Sequence, residues 1–332
     1  MSATEAAGTE EMAVRDVINQ TLGEEMERDE RVYIQGIDVA GRGGTSNILK
    51  GLDDRFGRER VRNTPISEEA MVGSGLGAAA TGMRPVVEVM YCGFLGEAGD
   101  ELLNQVAKMR YMFGGKLDLP LVIRTKNVMG ANAAAQHSQS LHHWLAAIPG
   151  LKVVCISTPQ DTKGLVTAAV RSDDPILLFE HGGVYNKSGP VPTDEDFTLP
   201  IGEAAVEREG EDVTVVATQQ QLWNAFEAAE RVAEEGISVE IVNPRTISPL
   251  DAGTIVESVR KTRRCLVVDE GPLSYGAQSH ISAKISEEAF FSLDYPVQRL
   301  GVPDVPTPFS PSLEDEILPD TDDIVETVRE LS

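Results

Sequence analysis

Basic residues are scarce: the 332-residue chain carries 29 Lys and Arg against 53 Asp and Glu, a formal net charge of −24. Nucleic acids and anionic membranes are held by basic surface, so this balance argues against both as partners. Lysine is scarcest, 9 residues against 20 arginines. An ammonium is a strongly hydrated point charge and a guanidinium a weakly hydrated fork. The acids are spread along the chain rather than gathered in a tail, which excludes an acidic disordered segment. Together these features suggest a high-salt cytoplasm, where screening relieves self-repulsion. The three cysteines, Cys92, Cys155 and Cys265, form no CxxC pair, which excludes a disulfide framework or zinc cluster. Cys155 and Cys265 fall in apolar strand-like runs, where cysteine acts as a small hydrophobe. No stretch approaches the roughly 20 apolar residues of a membrane span. Met1–Glu5 lacks the basic start and apolar stretch of a secretory signal, so a cytoplasmic location is expected. Walker A, GxSxG and zinc signatures are also absent. His142 and His143 have no HExxH context and are expected to open a helix with Trp144 and Leu145.

What remains is an alternation of helical and strand-like patterns from end to end, the mark of an α/β architecture with largely parallel sheets. Val14, Val17, Ile18, Leu22 and Met26 share one face of a helix over 12–28. Pro85–Met90, Leu119–Ile123, Lys152–Ile156 and Pro175–Phe179 have the continuous apolarity of buried parallel strands. A long helical segment, roughly 95–113, separates the first two. Tyr185–Pro200 loses periodicity and collects Gly189, Pro190, Pro192, Pro200 and three acids, so 187–200 is expected to link two domains, 1–186 and 201–332. The second domain alternates strand 213–217, helix 220–235, strand 237–242, helix 251–262, strand 264–269 and helix 277–291.

Three features are candidates for chemistry. Gly73-Ser74-Gly75-Leu76-Gly77-Ala78 fits a dinucleotide fingerprint, but a helix start at Thr64–Ala70 precedes it where a strand should, so close helix packing is the expected role. Glu68 stands just inside that start. There it complements the helix dipole beside an N-capping Ser67, or offers a carboxyl to a ligand. His137 lies in a loop beyond the strand ending near Arg124, at the strand end where parallel sheets bind ligands. It is a proton-transfer group or an exposed loop residue.

These residues carry a resemblance that covers nearly the whole chain. Val14-Arg15-Asp16-Val17-Ile18-Asn19, Thr64-Pro65-Ile66-Ser67-Glu68, Arg110-Tyr111-Met112-Phe113-Gly114-Gly115, Gln136-His137-Ser138-Gln139, Pro149–Val154 and Pro244-Arg245-Thr246-Ile247 follow in order. The chain resembles the beta subunit of the thiamine-diphosphate-dependent first component of 2-oxo acid dehydrogenase complexes, the pyruvate, branched-chain 2-oxo acid and acetoin dehydrogenase type. The resemblance implies two three-layer α/β domains, a transketolase-like pyrimidine-binding domain and a transketolase C-terminal domain. It implies an oxidoreductase with a lipoyl acceptor. Glu68 would hydrogen-bond the aminopyrimidine, and Asp38, Tyr91, Cys92 and Phe94 would line the cofactor. His137 would guide proton movement or the incoming lipoyl group. The diphosphate and Mg²⁺ belong to an alpha subunit with a Gly-Asp-Gly motif; here Ala98-Gly99-Asp100-Glu101 replaces it. Two alpha and two beta chains, a lipoyl acyltransferase core, and a K⁺ ion on the carbonyls of Leu121, Ala169, Ser172 and Asp174 are implied likewise. Two departures stand out. Ile37 replaces an acid in Gly36-Ile37-Asp38-Val39, and Cys92 replaces an aromatic residue. They leave a catalytically degenerate scaffold subunit as the alternative, and a nucleotide-binding enzyme only if Gly73–Ala78 follows a strand.

Overall fold

The computed structural model describes residues 8–332, so Met1–Glu5 lies outside the described residues. The chain forms two compact units. One comprises residues up to Asn127 together with Leu145–Ile201, the other Val128–Trp144 together with Gly202–Ser332. In chain order come β1 (Thr9–Ala13), α1 (Val14–Arg28), β2 (Val32–Gly36), α2 (Leu52–Phe56), β3 (Val61–Asn63), α3 (Glu68–Ala80), β4 (Arg84–Val89), α4 (Met109–Met112) and β5 (Val122–Asn127). There follow α5 (Ala134–His137), α6 (His142–Ala146), β6 (Lys152–Cys155), α7 (Pro159–Arg171), β7 (Ile176–His181), β8 (Ser188–Pro192), β9 (Ala205–Arg208), β10 (Val213–Ala217) and α8 (Gln219–Ala233). The last are β11 (Val239–Asn243), β12 (Thr246–Ser248), α9 (Ala252–Thr262), β13 (Cys265–Pro272), α10 (Ala277–Ala289), β14 (Gln298–Val302), α11 (Pro311–Asp315) and α12 (Thr321–Leu331).

Within the first unit the strands lie in the order β6-β7-β5-β4-β2-β3. Every pairing among them is parallel. All their carboxyl ends therefore meet along one edge. The chain leaves β2 for β3 on one side while β4 lies on the other, which makes the β2/β4 boundary a topological switch point. Helix α1 forms because Val14, Val17, Ile18, Leu22 and Met26 make one fully buried stripe. It begins later than the periodicity suggests, because Met12 and Ala13 pair with Gly189 and Ser188 in an antiparallel β1–β8 ribbon. Part of the stretch expected as linker is thus strand. Pro190 and Pro192 are tolerated because each ribbon strand has only one partner.

The long helix expected over 95–113 is broken. A 3₁₀ turn (Cys92–Gly96), a turn of π-helix (Glu101–Val106) and the short α4 take its place. Gly93, Gly96 and Gly99 fall within seven residues, and each costs a regular helix about 1 kcal/mol. Residues 73–78 lie in the middle of α3, not in a turn after a strand. A Cβ on Gly75 would approach Val87 Cγ2 to 2.6 Å, so this glycine lets α3 lie close against β4. That arrangement removes the basis of the nucleotide-binding alternative.

In the second unit β14-β13-β10-β11-β9 form a sheet, parallel except for the edge strand β9. One face is covered by α8 and α12 through Leu222, Ala225, Val232, Ile324 and Val328. The other is covered by α9 and α10 through Ile255, Val259, Ile281 and Ile285. The strands and helices expected here are present with ends shifted by a few residues. Cys155 and Cys265 are buried in strands without a disulfide, and burial pushes the Cys265 thiol up. Among the described residues no helix is long and apolar enough to cross a membrane, and no cluster of His, Cys, Asp and Glu could hold a metal.

Candidate active site

The carboxyl edge of the first unit's sheet collects Asp38, Glu68, Tyr91, Cys92 and Phe94, whereas the carbonyls expected to hold a cation, Leu121, Ala169, Ser172 and Asp174, lie at the amino ends of β5 and β7. The loop after β2 carries Asp38 in a left-handed backbone conformation (φ 56°). It is fastened to the end of β3: Ala40 N donates to Asn63 Oδ1 at 2.7 Å, and Asn63 Nδ2 donates to Ala40 O at 3.2 Å. Thr64 N donates to Gly36 O at 2.9 Å, so the turn Thr64–Ser67 leaves the same edge and enters α3 at Glu68. Ser67 stands at the N-cap, but its hydroxyl makes no capping hydrogen bond, which corrects the expected cap. Gln35 Nε2 holds α3 in place by donating to Met71 O (2.7 Å) and Ser74 Oγ (3.0 Å).

Glu68 is only 7 % exposed, and among the described residues no hydrogen bond or ion pair reaches its carboxylate. A nearly buried acid without a partner is costly, and it suits a ligand able to share a hydrogen bond. Asp38, by contrast, is exposed and loosely paired with Arg42 at 3.8 Å. Beyond β4, the rings of Tyr91 and Phe94 meet edge to face at 5.6 Å, while Cys92 between them is fully buried.

Behind this edge lies a charge cluster that reading the sequence did not single out. Arg124 of β5 donates to both oxygens of Glu180 on β7 (2.7 and 2.9 Å) and pairs with Glu88 on β4. Tyr185 Oη donates to Glu180 Oε2 at 2.7 Å. Burial works against the charge on Arg124, but Glu180 and Glu88 hold its guanidinium firmly protonated. Burial raises the Glu88 carboxyl in spite of Arg124, and raises Tyr185 well above its usual range. Lys126, two residues along β5, donates to Thr45 Oγ1 and Ser46 Oγ at 2.6 Å each and lies 4.8 Å over the Tyr91 ring. Burial lowers its pKa, and Glu88 and Glu180 oppose the shift. Lys126 thus ties the Asp38 loop to the aromatic pair. A Cβ on Gly44 would come within 2.4 Å of Glu88 Oε1, so that loop fits only without a side chain there.

His137 belongs to the second unit and is the last residue of α5. It is half-buried, so it is not the freely exposed loop residue that was one of its two readings. The segment around it is held by side chains far away in sequence. Glu314 accepts from Gly130 N (3.0 Å) and Asn132 N (2.7 Å), Thr307 Oγ1 donates to Ser138 O (2.7 Å), and His142 Nε2 meets Asp269 at 3.1 Å. His142 and His143 open α6, as expected of them. The four carbonyls of the expected cation loop already accept protein hydrogen bonds. Leu121 O accepts from Ile176 N, Ala169 O from Ser172 N, Ser172 O from Arg84 Nη1 and Asp174 O from Ser172 Oγ. A carbonyl oxygen keeps a second lone pair, so each can still accept an ion.

Comparison with known proteins agrees with this architecture. Residues 10–187 match the transketolase pyrimidine binding domain, and residues 202–324 the transketolase C-terminal domain. A solved structure described as a split-gene transketolase, inactive beta4 tetramer, superposes with a TM-score of 0.77 over 96 % of this chain and 98 % of that one. At 23 % identity it speaks for the fold alone. The two matched domains define a protein of the transketolase type.

Curated relatives narrow the class. The beta subunit of acetoin:2,6-dichlorophenolindophenol oxidoreductase from Bacillus subtilis is 43 % identical, covering 96 % of this chain and 97 % of its own length. Subunit beta-1 of the mitochondrial pyruvate dehydrogenase E1 component from Arabidopsis thaliana is 44 % identical, covering 96 % and 89 %. The beta subunit of B. subtilis 2-oxoisovalerate dehydrogenase is 42 % identical, covering 97 % and 98 %. The chain belongs to this family of dehydrogenase beta subunits.

Proposed function

We propose that the chain is the beta subunit of a thiamine-diphosphate-dependent 2-oxo acid or acetoin dehydrogenase, active only with an alpha subunit. The reaction is oxidative cleavage of the substrate and transfer of its acyl group to lipoyl groups on an acyltransferase core. The observation that carries this reading is the nearly buried carboxylate of Glu68 at the start of α3, which among the described residues has no partner. When bound, thiamine diphosphate supplies the electron sink for cleavage next to a carbonyl. This chain's part is proton control and position. Glu68 would hydrogen-bond a pyrimidine ring nitrogen, and its low exposure would strengthen that bond. Asp38, Tyr91, Cys92 and Phe94 would line the cofactor, the edge-to-face rings of Tyr91 and Phe94 offering it an aromatic wall. His137 guides proton movement or the incoming lipoyl group.

The diphosphate and its Mg²⁺ fall to the alpha subunit, because this chain has Ala98-Gly99-Asp100-Glu101 where a Gly-Asp-Gly motif would be needed. The assembly has two alpha and two beta chains. Potassium would rest on the carbonyls of Leu121, Ala169, Ser172 and Asp174. In sequence the pyrimidine-binding domain is 1–186, the connector 187–200 and the C-terminal domain 201–332, although Val128–Trp144 packs with the second unit and the connector, which carries β8, with the first. A cytoplasm of high salt fits the net charge of −24.

The test is Glu68→Gln in the assembled enzyme, which keeps helix-start packing but cannot exchange a proton with the ring. Turnover of 2-oxo acids or acetoin should fall by about 10²–10⁴-fold, with exchange of the thiazolium proton slowed in parallel. Turnover within about threefold of wild type, well below the contribution of a general acid–base group, removes Glu68 from the mechanism.

A further inference from the structure

The segment Val128–Trp144 packs with the second unit, and its backbone is held in an unfavourable shape. Asn132 (φ 55°) and Ala134 (φ 63°) both occupy the left-handed region, which costs a residue with a side chain about 1 kcal/mol or more. Such a loop persists only when its surroundings fix it, and three tethers do so. Glu314, fully buried, takes the amides of Gly130 and Asn132. Thr307 takes the carbonyl of Ser138. The third tether is a line of buried polar groups: Ser140 Oγ meets His142 Nδ1 at 3.2 Å, and His142 Nε2 meets the Asp269 oxygens at 3.1 and 3.2 Å. His142 and Asp269 are 1 % and 5 % exposed. The first two tethers are a carboxylate on backbone amides and a hydroxyl on a carbonyl, so of the three only the last has a histidine whose charge can change near neutral pH.

We propose that His142 and Asp269 are a positioning pair for His137, an ion pair that grips the segment while His142 is protonated and slackens when it is not. This rests on the reading above that His137 acts at the reacting centre. The groups facing His142 include Ser140, His143, Asp269 and Glu270. Burial opposes its charge, but Asp269 through charge and hydrogen bond, helped by Glu270, raises its pKa on balance. His143, whose ring lies 5.8 Å away, has its pKa pushed down to about 4 by burial and by His142. At neutral pH it is therefore uncharged and does not compete for Asp269. The pair needs close quarters: a Cβ on Gly271 would lie 2.7 Å from Asp269 Oδ2 and 3.2 Å from His143 Nδ1. A folded-state pKa above the unfolded value of roughly 6.5 means the grip is complete below that pH and is lost as pH rises through the raised value.

Hydrogen exchange of the full chain, followed by mass spectrometry from about pH 5.5 to 9 and corrected for intrinsic rates, reads the grip directly. Wild type should lose about tenfold of its protection over 130–140 at the alkaline end, while β10 and β11 stay unchanged. His142→Gln should exchange fast over 130–140 at every pH, with no step. In the assembled enzyme the same variant should lose about 10–100-fold in kcat, the range in which a small misplacement costs rate, with substrate KM within about twofold. It should also lose the alkaline limb of the pH profile, which a merely structural residue would leave in place. Asp269→Asn, of nearly the same shape, should behave likewise and serves if His142→Gln does not fold. Unchanged protection in the variants overturns the proposal, and so does lost protection with wild-type kcat and pH limb. An assembled wild type without cleavage activity would refute the function instead, and the exchange step on the full chain would still report the tether.

Discussion

Removing Arg124 tests how the buried charge in the first unit is shared. Arg124 is 3 % exposed and serves two carboxylates, Glu180 at 1 % and Glu88 at 9 %. Arg124→Met leaves both acids buried without a cation in contact, and breaking a buried pair this way typically costs about 3–5 kcal/mol. Glu180 should bear most of that cost. It is held by two direct Arg124 bonds and by Tyr185, whereas burial has already raised Glu88 towards its neutral form. Glu88→Gln should therefore cost about 1 kcal/mol, the worth of one ordinary hydrogen bond. Both tryptophans, Trp144 and Trp223, lie in the second unit, so fluorescence is a poor reporter here. Exchange protection of amides in β4, β5 and β7 is the assay, because these strands carry the three charges. Equal losses for the two variants, within about 1 kcal/mol, would refute this division of charge.

Further outcomes follow from other parts of the molecule. Purified alone, the chain should bind thiamine diphosphate weakly; calorimetry showing micromolar, Mg²⁺-dependent binding without an alpha chain would contradict the half-site reading. The melting temperature should rise between roughly 0.1 M and several molar KCl as screening relieves the net charge of −24, and a flat profile would remove the high-salt reading. Running NaCl beside KCl separates screening from a specific K⁺ site. His143 titrates at about 4 in the fold, below its usual value, so its contribution is present above roughly pH 6.5 and shrinks as pH falls towards 4. At pH 5 that loss should reach about 2 kcal/mol in the second unit, followed by Trp144 and Trp223 fluorescence. His143→Leu should flatten the acid slope, and an unchanged slope would count against it.

The sequence carried the second unit well, because its strands are uninterrupted apolar runs such as Val213–Ala217 and its helices are amphipathic with few glycines. The first unit was less legible where local and tertiary preferences conflict. The β1–β8 ribbon was hidden by its prolines, and the break in 95–113 was masked by apolar residues that bury without continuous helix. Glu68 could be located, but its lack of a partner depends on the packing of α3. The charge cluster does leave a trace in the sequence: Val-Val-Glu-Val, Val-Ile-Arg-Thr-Lys and Leu-Phe-Glu-His each set charge inside an apolar strand, and the signs complement one another. Nothing local could have revealed the tethers on 128–144, since Asp269, Thr307 and Glu314 lie more than a hundred residues downstream.

The fit of Gly75 against Val87 has a mechanical meaning. Helix α3 is riveted by Gln35 on Met71 and Ser74 and, near its middle, by the missing methyl at Gly75, with Glu68 at its start. A beam clamped at one point turns any shim under the clamp into tilt at its free end. One methyl at residue 75, too large for the 2.6 Å gap to Val87 Cγ2, would pry the helix up about two turns from Glu68. The carboxylate that the site depends on would swing out of register with nothing near it replaced.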